Sequence, residues 1–106
     1  MENNQTHVQS KRCDSYVFDE GHVLVELVVS NDDIVKDLCE KMNEELNMFG
    51  KVDWIIHNHG VIFVLFVGDY DKVKDSFERN VSWFNAKIGR DINWFVKPRG
   101  FIHYKE

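Results

Sequence analysis

Residues 51–67 read KVDWIIHNHGVIFVLFV. Lys51–Ile56 and Val61–Val67 are rich in β-branched and aromatic side chains, and His57-Asn58-His59-Gly60 between them supplies residues that tolerate positive φ. Two neighbouring strands joined by a tight connection follow. On either side the spacing becomes helical. Upstream, Val35, Leu38, Met42, Leu46 and Phe49 recur every three or four residues, after a capping start at Ser30-Asn31-Asp32-Asp33 and before Gly50. Downstream, Val73, Phe77, Val81, Phe84 and Ile88 repeat the pattern between Gly68-Asp69 and Gly89. His22–Val29 and Ile92–Lys97 complete the set as the first and fourth strands.

The order β-α-β-β-α-β predicts an α+β fold of ferredoxin-like type, with two helices on one face of a four-stranded antiparallel sheet. The first and third strands should be central and the second and fourth at the edges. Residues 1–14 are polar and without period, so a flexible tail is expected there and a single domain over 15–106. Ser15–Phe18 is an extended lead-in. Past Pro98-Arg99-Gly100, Phe101–Tyr104 returns as a short additional strand or lies across the sheet.

The chain has 106 residues, 18 acidic and 13 basic, for a net charge of −5. That length supports one core and leaves no room for a second domain. No apolar run reaches the roughly 18–20 residues of a membrane span, and the polar N-terminus is not a signal peptide. Cys13 and Cys39 form neither a Cys-x-x-Cys pair nor a disulfide framework, so an intracellular setting, nucleus or cytoplasm, is expected. No cofactor is implied.

Alternation along the strands divides the sheet into two faces. Val23, Val25, Leu27, Trp54, Ile56, Ile62, Val64, Phe66, Ile92, Trp94 and Val96 are assigned to the helix side. Leu24, Glu26, Asp53, Ile55, Val61, Phe63, Leu65, Asn93, Phe95 and Lys97 are assigned to the other. The second face is therefore strongly apolar, which marks an interaction surface unless Phe101–Tyr104 or Tyr16 and Phe18 fold over it.

The sequence resembles the RNA recognition motif over about His22 to Lys97. His59-Gly60-Val61-Ile62-Phe63-Val64-Leu65-Phe66 is similar to that family's third-strand signature, keeping the glycine, the second aromatic, the aliphatic and the last aromatic. Leu46–Val52 and Lys87–Ile92 also look like the family. Val61 replaces the first aromatic, and Leu24 and Leu27 stand where the first strand usually offers an aromatic and an asparagine. Of three stacking side chains, the resemblance leaves Phe63.

The resemblance implies a non-enzymatic module for single-stranded RNA. Phe63 would stack a base, Phe95, His57 and His59 would line the site, and Lys97, Arg99 and Lys105 would hold phosphates. Charge distribution agrees: Asp19–Phe49 carries a net −7, whereas Lys87–Lys105 carries +4. The competing expectation is a protein-interaction or homodimerisation domain using Leu24, Ile55, Val61 and Leu65, with Trp83 as an anchor off the main stripe of its helix.

The histidines invite two further readings. His22, His57 and His59 are expected at one end of the sheet, although edge-strand spacing keeps His22 and His57 about 10 Å apart, too far for one ion. Turn histidines with polar roles, and no metal, are the expectation. His57-Asn58-His59 is also similar to the His-x-His of rolling-circle initiator nucleases, with Tyr70 as nucleophile, but Asn58 replaces the bulky apolar residue of that motif.

Overall fold

The computed structural model describes residues 9–12, 15–18, 21–98 and 100–103, with side chains described for 9–12 and 21–98. Both helices start at capping side chains. Asn31 Oδ1 accepts the Ile34 N–H at 3.2 Å ahead of α1 (Asp32–Leu46), and Asp69 Oδ1 accepts the Lys72 N–H at 3.0 Å ahead of α2 (Tyr70–Ile88). A short 3-10 turn, Asn47–Phe49, follows α1, and Gly89 closes α2 in the left-handed conformation at φ 92°. The strands are β1 (Ser10–Arg12), β2 (Ser15–Phe18), β3 (His22–Leu27), β4 (Gly50–Asn58), β5 (Val61–Gly68), β6 (Trp94–Lys97) and β7 (Gly100–His103).

The architecture is α+β, with a five-stranded mixed sheet ordered β1-β4-β5-β3-β6. β3 and β5 are interior, and so is β4, which the sequence reading places at an edge. The fifth strand is the departure. Ser10–Arg12, expected in a flexible tail, runs parallel to β4 with Ser10 opposite Ile55 and Arg12 opposite His57. The Ile55 N–H donates to the Gln9 carbonyl at 2.8 Å, so β4 is an interior strand whose backbone finds partners on both sides.

The C-terminal strand β7 pairs with β2 in a separate antiparallel ribbon. Ser15 is opposite His103 and Phe18 opposite Gly100.

One core lies between helices and sheet. Val35, Leu38, Cys39, Met42 and Leu46 of α1 and Val73, Phe77 and Phe84 of α2 pack on Val23, Val25, Leu27, Ile55, Ile62, Val64 and Phe66. Phe77 meets Trp94 edge-on at 4.8 Å. A second apolar cluster occupies the opposite face: Leu24, Ile56, Phe63 and Leu65, with Trp54 and Val61 against it.

Strand β4 corrects the assignment of faces. Val52 is opposite Phe66 and Trp54 is opposite Leu65, an irregularity that skips Asp53. The skip reverses the alternation. Val52 and Ile55 therefore join the helix-side core, and Trp54 and Ile56 the second cluster, the reverse of strict alternation.

Candidate interaction surface

The face turned from the helices is organised in rows across the strands. Ile56, Phe63, Glu26 and Phe95 lie side by side from β4 to β6, and Trp54, Leu65, Leu24 and Lys97 form the next row. Exposure changes sharply along them. Ile56, Leu24 and Leu65 are 0% exposed and Phe63 is 5%, whereas Phe95 at the edge is 56% exposed. The middle of this face is sealed, whereas Phe95 on β6 and Val67 near the end of β5, 39% exposed, lie outside the seal.

The seal requires a second layer, because the helices lie on the other side. The open patch expected from Leu24, Val61, Phe63 and Leu65 is thus corrected: Val61 is half-buried, the other three are buried, and Ile55 belongs to the helix side.

Among the described residues, Phe63, Phe95 and Lys97 share the second face, whereas His57 and His59 lie away from them. His57 follows the irregularity in β4 and turns toward the helices, its Nε2 2.9 Å from Asp32 Oδ1 at the start of α1. His59 is exposed in the β4–β5 turn at φ 48°. Phe95 and Lys97 share the second face, and Lys97 Nζ lies 3.7 Å from Glu26 Oε1. Arg99 and Lys105 lie outside the described residues.

Trp83 is half-buried on α2 against the helix-side core, with Lys41 Nζ 4.7 Å from its ring centre. It lines a groove between α1 and α2 with Asp37, Glu40 and Glu44. Lys11 Nζ lies 4.3 Å from the Trp54 ring, a contact between β1 and the second face that no local sequence pattern signals. Tyr70 is half-buried against the helix-side core at the first position of α2.

The expected gathering of histidines is also corrected. His22 is opposite Val67 and His57 opposite Ile62, five residues apart along β5 and so about 17 Å. The antiparallel β3/β5 pairing sets the start of β3 beside the end of β5, away from the β4–β5 turn. Among the described residues, no group of three or more His, Cys, Asp or Glu is placed to hold a metal ion.

Two titrating groups are strongly set by their surroundings. Burial in the core, with Asp32 and Glu40 as further causes, pushes the Cys39 thiol far up. Glu45 is held below the usual carboxylate range, first by the Ser76 hydroxyl donating at 2.6 Å. Burial opposes this, and Arg79 Nε at 3.2 Å and Asn80 Nδ2 at 3.1 Å add to the lowering. This cluster joins α1 to α2. A lowered folded pKa contributes stability above the ordinary carboxylate range and loses it as pH falls through the folded value. Glu45→Gln is therefore expected to cost most near neutral pH, and urea unfolding of the two proteins should converge on acidification.

No protein-family model and no curated protein matches the chain. Among the described residues, no helix is long and apolar enough to cross a membrane.

Proposed function

We propose that this chain is a non-enzymatic protein-interaction module of ferredoxin-like, RNA-recognition-motif-like architecture, whose contact surface is the β6 edge. The order β4-β5-β3-β6 and the placement of both helices on one side support the architecture. The extra strand β1 and the β2/β7 ribbon are additions to that core. One observation carries the function: Phe95 is 56% exposed on an edge strand, while Leu24, Phe63 and Leu65 in its face are buried. Exposed aromatics beside an accessible strand edge suit a partner that adds a strand and fills in beside the ring.

Single-stranded RNA is the competing ligand, favoured by the proximity of Phe95 and Lys97. With Phe63 buried, Phe95 offers one stack of about 1–3 kcal/mol, well short of the roughly 8 kcal/mol of a micromolar complex. Lys97 already faces Glu26. A phage-displayed library of random peptides, selected on the full chain and counter-screened on Phe95→Asp, tests the assignment. Peptides that lose binding on Phe95→Asp support it. A library yielding none, with RNA octamers that bind and depend on Phe95, overturns it.

A further inference from the structure

The backbone of β6 indicates which partner its edge fits. The Val28 N–H donates to the Asn93 carbonyl at 3.0 Å, and Glu26 and Leu24 lie opposite Phe95 and Lys97 in the same ladder. In an antiparallel pair, the N–H and C=O of successive residues point alternately toward and away from the neighbouring strand. Asn93, Phe95 and Lys97 thus turn their backbone groups toward β3, and Trp94 and Val96 turn theirs outward. Among the described residues, β6 pairs with β3 alone, and all four of its side chains retain exposure.

We infer that β6 pairs antiparallel with β6 of a second copy of this chain, about a two-fold axis through Phe95. This deepens, and rests on, the reading of the β6 edge as the contact surface. In a continuous sheet, residues directly opposite share a face, so Phe95 can oppose Phe95 of the second copy while Trp94 opposes Val96. The outward groups lie two residues apart with Phe95 midway between them. A two-fold there lets each Trp94 exchange two hydrogen bonds with the opposite Val96, using every outward N–H and C=O of both residues.

Shifting the axis to Val96 would set Trp94 against Pro98, which has no N–H to give. In the Phe95-centred register the two exposed rings meet as a cross-strand pair, and Lys97 faces Asn93 rather than another lysine. No like charges stand opposite each other. The strand is blunted at one end by Lys97 and Pro98, but its centre carries an exposed phenylalanine, the opposite of what a protected edge presents.

Sedimentation equilibrium of the full chain from micromolar to millimolar concentration should show a reversible dimer. Phe95→Asp should weaken it by at least about tenfold, through loss of the ring pair and placement of two carboxylates face to face. Register is read by oxidation in a Cys13→Ser background. Phe95→Cys should form a covalent dimer, because directly opposed Cβ atoms lie about 4.5–5.5 Å apart, and Val96→Cys, offset from its own copy, should not. A monomer throughout the range, or cross-linking of Val96→Cys as readily as Phe95→Cys, overturns the inference. Phe95-dependent peptide binding by a chain that stays monomeric would overturn the dimer and leave the edge assignment standing.

Discussion

Leu65→Ala is expected to destabilise the fold by about 2–5 kcal/mol, the cost of removing a buried leucine and leaving its cavity. That is a large part of the roughly 5–15 kcal/mol that holds a domain together. The expectation follows from burial alone: Leu65 is 0% exposed between Leu24 and Trp54, on the face away from the helices. Were this face open, as the resemblance to the RNA recognition motif implies, the same change would cost under about 1 kcal/mol, the ordinary range for a surface site. Phe95→Ala supplies the contrast within one protein. It removes a larger side chain, but one more than half exposed, so a change below about 1 kcal/mol is expected. Urea denaturation of the two variants, with unchanged m-values, measures both.

Gly68→Ala is expected to lower stability by about 3 kcal/mol or more, and Tm by more than about 12 °C. A methyl group at this position would lie 2.5 Å from the Phe49 carbonyl oxygen and 2.6 Å from the Gly50 Cα. Both obstacles are backbone, so no rotamer change can relieve them. The φ of +154° adds strain for any L side chain. This close approach is where β5 ends against the start of β4, with Gly68 opposite Gly50 and the Asp69 N–H donating to Phe49. Gly60→Ala is the control. Gly60 has φ +82° but nothing within 4 Å of an added methyl, so about 1 kcal/mol is expected. Differential scanning calorimetry of the two variants separates steric exclusion from conformational cost.

The helices were legible because each signal agreed with the next. Asn31 and Asp69 cap, the apolar spacing of three and four follows, and Gly89 ends α2 in the conformation glycine favours. The central pair β3/β5 was legible for the same reason. The faces of β4 were not, since one irregularity at Asp53 reverses every side chain after it and leaves no mark in composition. His57 was lost to the second face by that reversal and appears beside Asp32 instead.

The sealing of the second face was hidden for a different reason. Leu24, Phe63 and Leu65 show only that this face is apolar, and an apolar face is equally consistent with a bound partner and with a covering layer. Separately, the pairing of β2 with β7 joins residues more than eighty positions apart, beyond any local pattern. Ser10–Arg12 reads as polar and still forms a strand, because the edge of β4 supplies the hydrogen bonds that its own sequence does not advertise.

The central claim is that the β6 edge presents the exposed aromatic of this face for binding, whereas Phe63 lies beneath cover. Its most direct test is the relaxation of Phe63 and Phe95 ring protons by a soluble, neutral gadolinium chelate in NMR spectra of the dilute full chain. The expected result is strong relaxation at Phe95 and little at Phe63. Equal relaxation of both rings would mean an open sheet face and would contradict the assignment of the contact surface to the edge.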